Sequence, residues 1–193
     1  MTDTQNGADP LSLQDIERVV FSVEEIQQRV RALGQEIAND YQGRDVLLVG
    51  VLRGMILFIA DLMRAIDLPV AVDFIAISRF GSSADTRGVV RFVKDLDTPI
   101  RGKHVLFVED IVNTGLTLGF ILRNLRTRQP ASLEVCTLLD RTPHRLIDTP
   151  IAYRGFEISR EFVVGYGLDY KQRYRNLPFV GILKPEVYKP GGR

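Results

Sequence analysis

Residues 109 to 117, EDIVNTGLT, hold the densest set of groups in this chain that could do chemistry. Glu109 and Asp110 are paired carboxylates, and Asn113, Thr114, Gly115 and Thr117 form a small polar turn just after them. The first backbone N–H groups of a helix have no internal partner, so a turn of this kind opening a helix binds phosphate well. Carboxylates accept hydrogen bonds from sugar hydroxyls and hold Mg²⁺ together with substrate oxygens and water. The combination suits a phosphorylated sugar. An acidic pair or a Thr-Gly step alone would read as a plain turn with solvated carboxylates; the whole string carries the specificity.

Positioning these groups takes a strand before and a helix after. Val105 to Val108 is an unbroken apolar run rich in β-branched residues, the pattern of a strand buried on both faces, with the acids following at its carboxyl end. Leu118, Ile121, Leu122 and Leu125 recur at helical spacing. In open α/β sheets ligands bind at the carboxyl ends of strands. A second such strand, Val46 to Leu52, ends in Arg53-Gly54 before a helix from about Ile56 to Ile66, which offers either a second ligand loop at the same sheet edge or a plain turn. Val70 to Ser78 is a third strand. The polar stretch Arg79 to Gly88 reads as a mobile loop, a lid or a bare surface hairpin, with Val89 to Val93 as its return strand. Near the start, Ile16 to Phe21 is a short strand. Ser22 and Glu25 form a capping box for a helix with one apolar face that Gly43 ends.

Strands separated by helices through residue 139 predict a parallel, doubly wound sheet. The last fifty residues change character: IAYRGFEI, EFVVGYGLDY and LPFVGIL are short strand-like pieces that would cap the sheet edge. At 193 residues the chain suits one domain, and 45% apolar residues suffice for a full core. A net charge of +1, from 25 basic and 24 acidic residues, points to no nucleic-acid or membrane partner. No apolar run reaches the length of a spanning helix. The opening MTDTQNGADP lacks a basic, apolar signal, so residues 1–15 are expected to be a disordered lead-in. The single Cys136 is expected to be a buried hydrophobe in a reducing cytoplasm, and two isolated His make no recognisable His/Cys metal cluster.

VEDIVNTGLTL resembles the phosphoribosyl-diphosphate (PRPP) motif of the type I phosphoribosyltransferases. FVVGYGLDYKQRYRNLPFVGILKPEVY closely resembles the C-terminal segment of the bacterial hypoxanthine (hypoxanthine-guanine) enzymes of that family. The likeness runs from about Ile16 to Tyr188 and includes VGVLRG, GVVRFVKDLD and TLLDR. It implies an α/β type I phosphoribosyltransferase fold: a mostly parallel central sheet flanked by helices (core about 22–140), with a small hood built from 141–193 plus 16–21. It implies purine salvage in the cytoplasm, in which a homodimer or homotetramer uses Mg²⁺ to transfer the phosphoribosyl group of PRPP to N9 of a 6-oxopurine. On the same grounds Asn113, Thr114, Gly115, Leu116 and Thr117 would bind the 5′-phosphate. Leu52, Arg53, Gly54 and Arg175 would bind pyrophosphate, the first of these loops often carrying a non-proline cis peptide. Glu109 and Asp110 would take the ribose hydroxyls, directly or through Mg²⁺-bound water, and Asp169 would hold Mg²⁺ against pyrophosphate. Phe162 would stack on the purine, Val163 would bond its edge through backbone groups, and Arg141 would reach its exocyclic oxygen.

Four positions depart from the family pattern. Arg53 and Arg141 stand where Lys is usual, and a planar fork replaces a compact ammonium at each. Arg79-Phe80 stands in the mobile loop for Ser-Tyr. Asn113 occupies the place of the Asp assigned as general base at purine N7, and an amide takes no proton at neutral pH. Three functions fit such a site: a purine phosphoribosyltransferase with full or reduced turnover, a non-catalytic nucleotide-binding or regulatory protein on the same fold, or a transferase for another base.

Overall fold

The alternation of side chains along each central strand decides which way the layers stack. In Val46–Leu52 (β2), Leu47, Val49 and Val51 point to one side of the sheet, and Val46 and Leu48 to the other. In His104–Val112 (β5), Val105 and Phe107 oppose Leu106 and Val108 in the same way. Both faces are apolar, so each needs a helical cover. Val23–Asp40 (α1) and Ile56–Ala65 (α2) close one face with Ile26, Leu33, Phe58 and Leu62. Leu116–Thr127 (α3) closes the other with Leu118, Ile121, Leu122 and Leu125.

The computed structural model describes residues 13–80 and 89–188, with the side chains of residues 79, 80, 89 and 90 left aside. The main sheet has six strands in the order β4-β3-β2-β5-β6-β7, where β3 is Val70–Phe80, β4 Val89–Lys94, β6 Ser132–Asp140 and β7 Tyr153–Glu157. All neighbours are parallel except β3 and β4, which pair antiparallel as the return-strand reading expects. Strand β3 continues through Arg79 and Phe80, which pair with Val90 and Val89 and so are not part of the mobile loop expected from Arg79 to Gly88; the rest of that expectation, residues 81–88, and the lead-in expectation for residues 1–12 lie outside the described residues. Leu13–Asp15 forms a 3₁₀ turn.

The expected capping box is present: Ser22 accepts from Glu25 N, and Glu25 accepts from Ser22 N at 2.7 Å. The helix ends at Asp40, with Gly43 (φ +73°) in the turn beyond. Two further readings change. Strand β5 extends through Glu109 and Asp110 to Val112, because β6 continues to pair with it as far as Val112 opposite Asp140. The polar turn is therefore only residues 113–115. Within the expected hood, Tyr153–Glu157 instead joins the large sheet as β7, paired parallel to β6 and anchored by Tyr153 Oη donating to Asp40 at 2.8 Å. The hood itself is a three-stranded antiparallel sheet, β1-β9-β8, made of Ile16–Phe21 (β1), Val180–Leu183 (β9) and Val163–Val164 (β8), with a terminal turn of helix Pro185–Tyr188 (α4). Cys136 is free and buried, and burial pushes its thiol pKa up. No helix among the described residues is long and apolar enough to cross a membrane.

Candidate active site

The chain order reverses between β2 and its two neighbours: β3 lies on one side of β2 and β5 on the other. A crevice opens at such a switch point beyond the carboxyl ends of the strands. Here Gly50 pairs with Val108, so Arg53-Gly54 leaves β2 beside Asp110, and β5 runs on to Val112 before Asn113-Thr114-Gly115. The Leu52–Arg53 peptide is cis, as the family resemblance implies. Arg53 is exposed.

The 113–115 turn leads into α3 with Gly115 as N-cap at φ +79°, where a side chain would be strained. Gly115 has no side chain to cap this end, and Thr114 Oγ1 accepts from Leu116 N at 3.4 Å. Glu109, Asn113, Thr114, Gly115 and Thr117 line a cleft of about 110 Å³ there. The segment after β6 supports the turn from outside. Leu146 N and Ile147 N both donate to Thr114 O, at 2.9 and 3.1 Å, and Arg141 N donates to Val112 O at 2.9 Å. That segment is pinned in turn by buried Asp140, which pairs with Arg145 and, at 2.7 Å, with Arg154.

The loops on β2 and β5 and the hood meet at Gly54. A Cβ on Gly54 would overlap the Asp110 carboxylate, and a Cβ on Gly167 of the hood would overlap Gly54 O. Protein packed around Asp110 withdraws it from water and raises its pKa. Its bonds from Ile111 N at 2.6 Å and from Glu109, and the nearby Arg175 charge, only partly offset this. Arg175 spans the junction, donating to Gly167 O at 2.7 Å and pairing with Asp169 at 2.7 Å. The second Asp169 oxygen accepts from Gln172 N at 2.8 Å.

On the base side, Arg141 Nη2 donates to Glu161 O at 2.7 Å, while Nε is buried with no hydrogen-bond partner. Desolvation lowers its pKa. Phe162 follows Glu161 directly and sits half-buried, and Val163 is buried. Among the expected site residues, the described structure thus gathers Arg53, Gly54, Asp110, Asp169 and Arg175 at one junction. It gathers Glu109 and the 113–117 turn in the adjoining cleft, and Arg141, Phe162 and Val163 at the hood edge. Backbone β3 carries Arg79 and Phe80, whose side chains lie outside the description. Gly167, the Asp140–Arg145 support and the residues packed around Phe162 were not singled out from sequence. Their roles depend on contacts between segments far apart in the chain, and only the doubled glycine of GYG hinted at a close approach.

No group of three or more His, Cys, Asp or Glu able to hold a metal is found among the described residues. A Mg²⁺ that arrives with a diphosphate needs fewer protein ligands, since substrate oxygens and water complete its octahedron. A crowded carboxylate of raised pKa beside Glu109, with Asp169 across the junction, fits that partial donor set.

The raised pKa of Asp110 sets a sign. The unfolded carboxyl ionises at the ordinary value and the folded one only at higher pH, so folding becomes costlier through that interval and stays so above it. At neutral pH the ligand-free Asp110→Asn variant should melt at a higher temperature than the parent. In calorimetry it should bind PRPP with Mg²⁺ at least about tenfold more weakly, the usual worth of a charged hydrogen bond. A lower melting temperature with intact PRPP binding would contradict this placement.

A family model for a phosphoribosyl transferase domain matches residues 22–171. The hypoxanthine-guanine phosphoribosyltransferase of Mycobacterium avium is 51% identical over 181 residues, covering 91% of this chain and 89% of that protein. The enzyme of the same name from Bacillus subtilis is 46% identical over 175 residues, covering 91% and 97%. A crystal structure of a hypoxanthine phosphoribosyltransferase from Staphylococcus aureus aligns with a TM-score of 0.88 at 43% identity, over 92% of this chain and 96% of that one. With its phosphate turn, its paired acids and its hood on one crevice, and with these likenesses running along nearly its whole length, the chain belongs to the phosphoribosyl transferase domain family.

Proposed function

We propose that this protein transfers the phosphoribosyl group of PRPP to N9 of a 6-oxopurine, hypoxanthine or guanine, giving the nucleotide and pyrophosphate in purine salvage. The observation that carries this is the junction at Gly54, where a loop, the half-buried Asp110 and the hood close on one point beside a helix start suited to phosphate. In this reading the bond from C1′ to the pyrophosphate oxygen breaks as the bond from C1′ to N9 forms. The purine gives up one proton, and pyrophosphate leaves with the electron pair. Residues 113–117 hold the 5′-phosphate, while Leu52, Arg53, Gly54 and Arg175 hold pyrophosphate through backbone N–H groups and two guanidinium forks. Glu109 and Asp110 accept from the ribose hydroxyls. Mg²⁺, when bound, neutralises pyrophosphate charge, and Asp169, Glu109 and Asp110 are the groups placed to hold it. Phe162 stacks on the purine and the Val163 backbone bonds its edge. The protein works in the cytoplasm as a dimer or tetramer.

Such a reaction depends on positioning and on stabilising positive charge at the sugar, so a missing general base slows it without stopping it. Asn113 can bond N7 through its amide yet cannot remove a proton, so turnover is lower than with an Asp by roughly 10²- to 10⁴-fold. The readings as a non-catalytic binding protein or as a transferase for another base have no feature of their own in the structure.

A steady-state assay with PRPP, Mg²⁺ and a panel of bases is the test. Arg141 can only donate, and its Nε still lacks an acceptor, so a carbonyl at C6 is matched and an amino group is not. Hypoxanthine should exceed adenine by at least about 10²-fold in kcat/KM. Equal use of the two bases would remove Arg141 from the base pocket, and no turnover with any base would sink the enzyme reading. Asn113→Asp should raise kcat at least about tenfold, with less change in KM, because a general base acts in the transition state. A level or falling kcat in a folded variant would mean the site is tuned around an uncharged residue 113.

A further inference from the structure

Phe162, proposed above as the surface on which the base lies, is itself held on two sides. The Tyr188 ring lies over it with centroids 4.9 Å apart and planes 20° from parallel. Tyr170 meets it edge-on at 5.6 Å and 86°. Both are favoured arrangements for aromatic pairs, the first an offset stack and the second a T. Tyr188 ends the short α4 turn, and that turn is tied down by the hood. Lys184 N donates to Asp15 O at 2.9 Å, Leu183 N to Phe162 O at 2.9 Å, and Asp15 also accepts from Tyr174 Oη at 2.6 Å. The segment that carries Phe162 and the tail that carries Tyr188 are therefore one hydrogen-bonded unit.

An aromatic ring has two faces. Tyr188 stacks over one face of the half-buried Phe162 ring, so the opposite face is the one a flat heterocycle would take, and the tilt of the ring is set by its contacts with Tyr188 and Tyr170. We propose that Tyr188 is a positioning residue for the purine. From the C-terminal turn it stacks behind Phe162, holds that ring in one orientation and so sets the plane in which N9 faces the sugar. This rests on the reading of Phe162 as the base platform.

The loop after β2 and the turn after β5 belong to other elements, and the hood's Asp169 and Arg175 are held by each other, Gln172 N and Gly167 O rather than by Tyr188, which separates the two substrates in the test. Tyr188→Ala should raise KM for hypoxanthine about three- to tenfold, the usual worth of one aromatic pair, and leave KM for PRPP within about twofold. Calorimetric titration with IMP should show the same loss of affinity without relying on turnover. Tyr188→Phe keeps the ring and should restore parental values. Tyr188→Leu, which keeps apolar cover should the alanine variant loosen the tail, should show the same split between substrates. Phe162→Ala measured alongside separates the two failures. If it raises KM for hypoxanthine and the Tyr188 variants do not, the role of Tyr188 is overturned alone. If it changes nothing, the platform reading fails and takes this proposal with it. A lower KM for hypoxanthine in Tyr188→Ala would overturn the proposal differently, by showing that Tyr188 covers the face the base must take. The double variant should be no worse than Phe162→Ala, since Tyr188 acts through Phe162.

Discussion

The site depends on how closely backbone can approach backbone at Gly54. The Asp110 carboxylate lies against one side of that residue and the hood, through Gly167, against another. Gly54 has no Cβ to meet that carboxylate and Gly167 none to meet the Gly54 carbonyl, and these two fits let one loop lie within reach of both an acid and the hood. Arg175 then bonds the hood carbonyl at Gly167 and the Asp169 carboxylate together, so that a guanidinium and two carboxylates border one small volume. Burying a carboxylate this way is unfavourable for the ligand-free protein, as the raised pKa of Asp110 records. A cationic or hydroxyl-rich ligand offsets it. The functional site is thus a place where folding alone is less than optimal, a common exchange of stability for binding.

The rest of the fold serves that junction. Two apolar faces of one sheet, covered by α1 and α2 on one side and α3 on the other, fix β2 and β5 next to each other in parallel register. That register sets the end of β2 beside Asp110 at the switch point, just before β5 itself ends at Val112. The buried Asp140, paired with Arg145 and Arg154, holds the 141–147 segment against the phosphate turn, so the base side and the phosphate side are braced by one polypeptide stretch.

Much of this was legible in the amino-acid order, and what was not has a physical reason. Unbroken runs such as VLLVGVL announce strands buried on both faces, and the Ser22–Glu25 box marks a helix start to the residue, because both signals are local. The polar turn that opens α3 was legible because its small and polar residues are consecutive in the chain. The carboxyl end of β5 was misjudged: Glu109 and Asp110 look like a break in an apolar run, yet pairing with β6 carries the strand past them. Tyr153–Glu157 resembled the hood pieces in length and composition, and only its pairing with β6 assigns it to the large sheet. The Gly167–Gly54 contact and the Tyr188–Phe162 stack join segments whose neighbourhood no local pattern encodes.

The central claim is that the Gly54 junction is what makes one binding site out of three separate segments. Calorimetric titration of Gly54→Ala with PRPP in the presence of Mg²⁺ tests it most directly. A Cβ there must displace the Asp110 carboxylate, so affinity should fall at least about tenfold, the scale expected for a lost charge-assisted contact, while the melting temperature of the ligand-free variant stays near the parent. Parental affinity for PRPP in that variant would show that the close approach at Gly54 does not build the site.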